Sequence, residues 1–317
     1  MINILYQIIR TARPRQWLKN FSLFAAALFS GRILMQSVFF NSVDAFLAFC
    51  AISSGAYFIN DIIDAPKDRQ HPVKKNRPIA SGKLPVWIAW VSAIVLIAWS
   101  LFFSANNIGS YFTFTLVVYI VMQLSYSLYF RNVIIMDSLV VASGFVIRVF
   151  AGGFASNTSI SSWLALTTIG ISLLLAFGKR RSEKTLVSKY SESNDNATRK
   201  TLRHYPDNLL DSMISMAATY TIITYSLFTF QASPQYVSSE LSSILPSILR
   251  SPKWMMLTIP FVIYGVARYL YIIYEKQEGE SPERVLLSDR PLLLTVVLWS
   301  LAVFAITYLI PGGIQNG

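Results

Sequence analysis

Residues 45–84 read AFLAFCAISSGAYFINDIIDAPKDRQHPVKKNRPIASGKL. An apolar run passes directly into Tyr57–Leu84, which gathers three aspartates, a histidine and six basic residues before the chain turns apolar again. The apolar half decides the fold. A helix of roughly 20 apolar residues crosses the hydrocarbon core of a bilayer, and runs of that kind recur throughout the chain. Nine are legible, at about 17–35, 41–60, 85–104, 108–129, 134–152, 160–178, 209–231, 254–274 and 291–310. Only 14% of the 317 residues are charged and 54% are hydrophobic, whereas soluble domains carry nearer a quarter charged residues. The sequence predicts an all-α, polytopic membrane protein of nine transmembrane helices, forming one integral-membrane domain over residues 1–317.

The net charge of +11 would suit a nucleic-acid partner if it were spread over one soluble surface. It is not. Numbering the blocks, the basic residues collect at the N-terminus and after blocks 2, 4, 6 and 8. The other side holds only Arg32, Arg250 and Lys253. Basic residues flank the cytoplasmic ends of membrane helices, so the expected topology is N-terminus inside and C-terminus outside in the plasma membrane, with no nucleic-acid partner. The first residues, MINILYQIIRTARPRQWLKN, place their bases after a short apolar run and offer no small-residue cleavage site, unlike a secretory signal. Residues 1–16 read instead as a basic amphipathic segment on the membrane surface. The one cysteine, Cys50, lies in the second block, reads as packing and excludes an intramolecular disulfide.

Two charged segments, 61–84 and 179–208, face the expected cytoplasmic side. Asn60, Asp61, Asp64 and Asp68 sit at the end of block 2, and on a helix the three aspartates fall within an arc of about 60°. Hard oxygen donors so arranged suit Mg²⁺, which takes one or two carboxylates plus water and substrate phosphates. A solvated helix end balanced by Lys67 and Arg69 is the plainer alternative, but acids at a helix C-terminus oppose its dipole. Pro66 removes one helical bond and is expected to disturb the geometry between Asp64 and Asp68. His71 reads as a structural hydrogen-bonder. Among the following bases Arg77 is the candidate for holding a Mg²⁺-chelated diphosphate.

Asp137 and Arg148 lie inside block 5, eleven residues apart and so near one helix face. Charges within a membrane segment are costly and suggest function by default, a structural pair being the alternative. Gly144, Gly152 and Gly153, with Ala142 and Ala151, read as close helix packing. FGKRRSEK brings Lys179, Arg180 and Arg181 to the end of block 6, serving either as topology signals or as a phosphate clamp. Arg13, Arg15, Gln16 and Lys19 in RPRQWLKN are candidates for phosphate or headgroup binding, and Trp17 reads as an interface anchor. Tyr126 and Tyr129 read as interfacial aromatics unless a sugar stacks on one.

NDIIDAPKDRQHPVKKNRPIASG resembles the first aspartate-rich motif of the UbiA-type intramembrane prenyltransferase superfamily. RPRQWLKN, DSLVVASGFVIRVFAGG, AFGKRRSE, LRHYPDNLLDSM and SPERVLLSDRPLL, in that order, resemble its decaprenyl-phosphate phosphoribosyltransferase branch. The resemblance implies a nine-helix bundle with a cytoplasm-facing cavity and Mg²⁺ held at Asn60, Asp61, Asp64 and Asp68. The implied reaction moves a 5-phosphoribosyl group from 5-phosphoribosyl 1-diphosphate to a polyprenyl phosphate lipid drawn from the bilayer. Ordinary members carry a second acidic pair four residues apart. Here Asp137 stands alone, with Val133 and Val141 at the flanking positions, which weighs against the rival of prenyl transfer to an aromatic acceptor. Asp64, Asp68, Asp137 and Arg148 are the candidate catalytic residues. Arg13, Gln16, Lys19, Arg77, Tyr126, Arg148, Lys179 and Arg180 are the candidate substrate binders. A transporter is the rival of another class, but it needs no acidic cluster on one face.

Overall fold

The computed structural model describes residues 2–70, 74–190, 205–233, 253–276 and 282–309. His71 and the central part of the second charged segment lie outside the described residues. Helix α1 (Ile2–Ala12) is followed by a 3₁₀ segment, Pro14–Phe24, that runs straight into α2 (Ala25–Phe29). Next come α3 (Gln36–Asp68), α4 (Val86–Asn107), α5 (Ser110–Leu128), α6 (Met136–Ala155), α7 (Ser162–Tyr190) and α8 (Asp207–Ala232). A short 3₁₀ turn, Trp254–Thr258, leads into α9 (Ile259–Tyr271), and α10 (Pro282–Ser288) and α11 (Arg290–Phe304) complete the chain. No strand occurs among the described residues.

Eight helical segments among the described residues are long and apolar enough to cross a membrane. The expected first span is the exception. Its 16 residues, 14–29, would reach only about 24 Å as an α-helix. Wound mostly as 3₁₀, at about 2 Å per residue, they extend over roughly 30 Å, the thickness of the hydrocarbon core. Pro14 stands at the start of this segment, and Arg13 before it takes left-handed backbone angles (φ 55°, ψ 61°). Leu23 of this span is buried against α3, α5 and α6, and Ala26 and Ala27 are buried as well.

Close approach depends on Gly152 of α6. A Cβ at this position would lie 1.9 Å from the Leu23 carbonyl oxygen, so only a glycine admits the backbone of the first span. The small-residue stripe of block 5 is therefore helix packing, as its composition suggests.

Two helices run past their apolar blocks. At 33 residues α3 is about 50 Å long, longer than the hydrocarbon core, and continues through Pro66 to Asp68. The acids thus stand on a helix rather than in a loop. Likewise α7 continues through Lys179, Arg180 and Arg181 to Tyr190. The expected loops 61–84 and 179–208 are therefore helical at their starts. Straight-chain charged residues such as Lys and Arg are good helix formers, so the charge after the apolar block of α7 does not end the helix.

Helix α1 turns Leu5, Tyr6 and Ile9 outward and buries Gln7 and Thr11, while Ile8 and Ala12 pack near Phe58 of α3. On the lipid-facing side, Trp87 and Ile94 of α4, with Tyr111 and Phe114 of α5, are broadly exposed. An apolar cavity of about 570 Å³ lies between α5 and α6, lined by Tyr111, Phe114, Phe150 and Phe154 among others. It sits at the helix ends opposite the charged cluster.

Candidate active site

The charged cluster is assembled at one end of the bundle by three elements around the end of α3. The loop after α3 is held by Ile79 and Leu84, both buried against Phe58, Ala65 and Ala89, and turns at Gly82 with φ 74°. This lays Arg77 over two of the acids. Its Nη1 donates to Asp68 Oδ2 at 2.7 Å and to Asp61 Oδ1 at 3.1 Å. Arg13, from the kink before the first span, reaches Asp61 Oδ1 at 2.5 Å and stacks its guanidinium over the Tyr57 ring. Asp64 is held elsewhere. Arg131, in the turn between α5 and α6, donates from Nη1 to both its oxygens, at 2.6 and 2.8 Å. Asn60 donates to Asp64 Oδ2 at 3.3 Å and accepts from Ser127 Oγ at 3.0 Å, which keys the end of α5 to α3.

The four expected metal ligands therefore do not converge as one cage. Asp61 and Asp68 share Arg77, and Asp64 with Asn60 faces Arg131. Among the described residues no three His, Cys, Asp or Glu side chains are placed to hold a metal. The donor chemistry still fits Mg²⁺ in its usual mode, with one or two carboxylates and the remaining positions left to water and phosphate. The three carboxylates, at most 14% exposed in their side chains, would be prohibitively costly without counter-charge. Three arginines supply it.

The other predicted residues separate into two groups. Arg13, Arg77 and Lys179 keep 28%, 26% and 34% of their side chains exposed, and Gln16 is engaged by the Lys19 ammonium on the same turn of the first span. Of these, Arg13, Arg77 and Lys179 are partly open to solvent. By contrast, Arg180 is 1% exposed. Its Nε lies 2.9 Å from Asp137 Oδ2, its Nη1 contacts Glu183 and its Nη2 donates to the Tyr126 hydroxyl at 3.4 Å. It does not face outward as a phosphate clamp would. Trp17, expected as an interface anchor, donates from its indole N–H to Ser54 Oγ at 3.1 Å.

Arg148 is placed apart from the acids. Its Nε donates to Asn20 Oδ1 at 2.7 Å, Nη1 to the Gly144 carbonyl at 2.7 Å and Nη2 to the Tyr119 hydroxyl at 2.9 Å. The rings of Phe49, Tyr119 and Phe145 surround it within 6 Å. The partner of Asp137 is thus Arg180, not Arg148, and Arg148 joins α3, α5, α6 and the first span. Arg148→Lys keeps the charge but cannot span three acceptors. Losing two of these three bonds from a charged group is expected to cost about 3–6 kcal/mol, read as a lower thermal midpoint in detergent. An unchanged midpoint with weaker substrate binding would return Arg148 to the substrate site.

Two residues at the site escaped the sequence reading. Arg131 is the lone base of a short turn, and only its 8% exposure distinguishes it from a topology signal. Tyr205, just before Pro206 and α8, is 1% exposed. Its hydroxyl accepts from the Ile135 N–H at 2.6 Å and donates to Asp137 Oδ1 at 2.5 Å. Burial, then the bond to Asp137 and that residue's negative charge, push the phenol up to about 12, so it keeps its proton at neutral pH.

Residues 20–288 match the UbiA prenyltransferase family. The chain is 33% identical to a decaprenyl-phosphate phosphoribosyltransferase of Corynebacterium glutamicum, over 98% of this chain and 89% of that protein. It is 32% identical to a protein of the same name from Mycolicibacterium smegmatis, over 96% and 94%. Among solved structures, a UbiA homologue from Archaeoglobus fulgidus bound to DMAPP and Mg²⁺ superposes with a TM-score of 0.67 at 19% identity, covering 95% of this chain and 99% of that one. A digeranylgeranylglyceryl phosphate synthase superposes with a TM-score of 0.64 at 16% identity, covering 98% and 100%.

Proposed function

The chain belongs to the UbiA prenyltransferase family, and from that premise we propose that it transfers a 5-phosphoribosyl group from 5-phosphoribosyl 1-diphosphate to a polyprenyl phosphate, releasing diphosphate. The observation that carries the reading is its likeness, across nearly the whole length, to proteins named for that transfer. The make-up of the site supports it. Partly exposed cations at Arg13, Arg77 and Lys179 suit a donor bearing a diphosphate and a further phosphate, and block 5 offers only Asp137 as an acid. The charged end of the bundle faces the cytoplasm, because the basic residues gather there.

The chain's own residues then have separable tasks. Arg77 and Arg13, already aligned on Asp61 and Asp68, present fixed positive charge to the departing diphosphate without reorganising. Lys179 and Lys19, with Gln16, add donors from α7 and the first span. Bound through one or two of Asp61, Asp64 and Asp68, Mg²⁺ would neutralise negative charge on the leaving group. The lipid phosphate is anionic at neutral pH, so no strong base is needed to activate it. The proximity of α1 and the first span to the acids supports a transfer at the membrane surface, where a lipid headgroup and a soluble donor can meet.

Radiolabelled 5-phosphoribosyl 1-diphosphate and polyprenyl phosphate, supplied to the detergent-purified chain, test this. Label is expected in the lipid fraction with Mg²⁺ and not after chelation. If label stays aqueous while a prenyl diphosphate is consumed with an aromatic acceptor, the chain is an ordinary prenyltransferase of the family. Transfer that survives chelation would remove Mg²⁺ from the mechanism.

A further inference from the structure

Asp137 is an acid at the start of a membrane-spanning helix, and both of its oxygens are committed. Oδ1 accepts from the Tyr205 hydroxyl at 2.5 Å and from Ser138 Oγ at 3.3 Å. Oδ2 lies 2.9 Å from Arg180 Nε. That N–H lacks hydrogen-bond alignment, so the contact is a close ion pair rather than a directed bond. Asp137, Arg180 and Tyr205 are each 1% exposed, with no water-accessible lone pair for a cation to find.

The backbone at this point is also unusual. Ile135, a β-branched residue, holds φ 69°, a conformation such residues rarely adopt and one that costs on the order of 1–3 kcal/mol. Its N–H is bonded by the same Tyr205 hydroxyl, and the Tyr205 carbonyl accepts from Lys184 Nζ of α7 at 2.5 Å. Tyr205 thereby joins the start of α6, the end of α7 and the stretch entering α8.

From this buried centre the contacts run outward. Arg180 reaches the Tyr126 hydroxyl of α5 and the Glu183 carboxylate. Glu183 is 18% exposed in its side chain and stands 3.9 Å from the Lys179 ammonium, which is 34% exposed.

We propose that Tyr205 is a positioning residue of the transfer reaction. Through the buried Asp137–Arg180 pair it fixes Tyr126 and Lys179 where the phosphates of the donor bind, and Asp137 serves this framework rather than a metal ion. The inference rests on the phosphoribosyl-transfer reading only for the choice of donor. Its core, that Tyr205 and Asp137 govern anion binding and not metal binding, stands on the contacts themselves.

Two measurements on the full-length, detergent-purified chain test it. In steady-state assays Tyr205→Phe and Asp137→Asn are expected to raise the donor KM about tenfold, the scale of losing one bond to a charged group, with half-saturating Mg²⁺ unchanged. In calorimetry without Mg²⁺, both are expected to bind inorganic pyrophosphate about tenfold more weakly than wild type. Arg180→Lys, which keeps the charge at the centre of the framework, is expected to fall between wild type and Asp137→Asn. A merely structural role would lower the thermal midpoint and leave KM and pyrophosphate binding of the folded fraction intact, which would overturn the proposal. So would a tenfold shift in half-saturating Mg²⁺ for Asp137→Asn at unchanged Mg²⁺-free binding, because that marks a metal ligand. Wild type that binds no pyrophosphate overturns it as well. Wild type that binds pyrophosphate and transfers no phosphoribosyl group, with the Tyr205→Phe and Asp137→Asn defects present, supports the framework and removes the donor assignment instead.

Discussion

Asp64→Asn is expected to reduce phosphoribosyl transfer by about a hundredfold or more, the scale seen when one preorganised charge is withdrawn from a developing transition state. The substitution has two effects that can be separated experimentally. Asparagine keeps the size of the side chain and its link to Asn60, but removes the charge that would bring a cation and the donor diphosphate to the end of α3. It also removes the carboxylate charge that Arg131 Nη1 meets through both Asp64 oxygens in a largely buried setting. Losing one partner of a buried pair costs about 3–5 kcal/mol, so low activity by itself could reflect a damaged fold. The double variant Asp64→Asn/Arg131→Gln distinguishes the two. Removing both charges is expected to restore most of the thermal midpoint in detergent while transfer stays low. Recovery of transfer together with stability would show that Asp64 contributes only structure.

Among the described glycines, Gly152→Ala should produce the largest loss of stability. In the interior of an exposed helix the same change would be favourable by about 1 kcal/mol, through alanine's higher helix propensity. Here the new Cβ would meet the Leu23 carbonyl oxygen at 1.9 Å and the Leu23 Cα at 2.8 Å. Both are backbone atoms, which cannot rotate aside. Overpacking of this kind costs about 1–3 kcal/mol, occasionally more, and the whole first span must shift to relieve it. Because that span carries Gln16, Lys19 and Asn20, and begins at Arg13, activity should fall with stability. The comparison is Gly265→Ala in α9, where a Cβ would meet nothing within 4 Å. This variant is expected to be neutral or slightly stabilising in the same thermal assay. Equal midpoints for the two variants would mean that the first span does not pack on α6 as described.

These two positions show how differently sequence and structure contribute. The aspartates at the end of α3 were legible because charge beside a long apolar run is conspicuous against its background, and a helical period already relates Asp61, Asp64 and Asp68. The spans were legible for the same reason: the bilayer imposes a length and a composition that each segment must satisfy by itself, so about 20 residues are enough to recognise one. The fold class, the number of apolar segments and the family motifs are all local properties of this kind.

Counter-charge and depth are not local. Which arginine meets which aspartate depends on where four distant segments converge. Thus Arg13 and Arg77 reach Asp61 across 48 and 16 residues, and Arg131 reaches Asp64 across 67. Nothing in the short turn YFRN marks its arginine as a partner of α3 rather than a topology signal. Asp137 and Arg148 share a helix face in projection, but three turns of separation send them to different neighbours, Arg180 in one case and Asn20 with Tyr119 in the other. The same holds for exposure: KRR at 179–181 reads as three equivalent bases, while the packed bundle leaves Lys179 partly open and buries Arg180. A residue's chemistry and its helical phase are written in the chain, whereas the partner that fixes its charge, and whether a ligand can reach it, arise only when the helices pack.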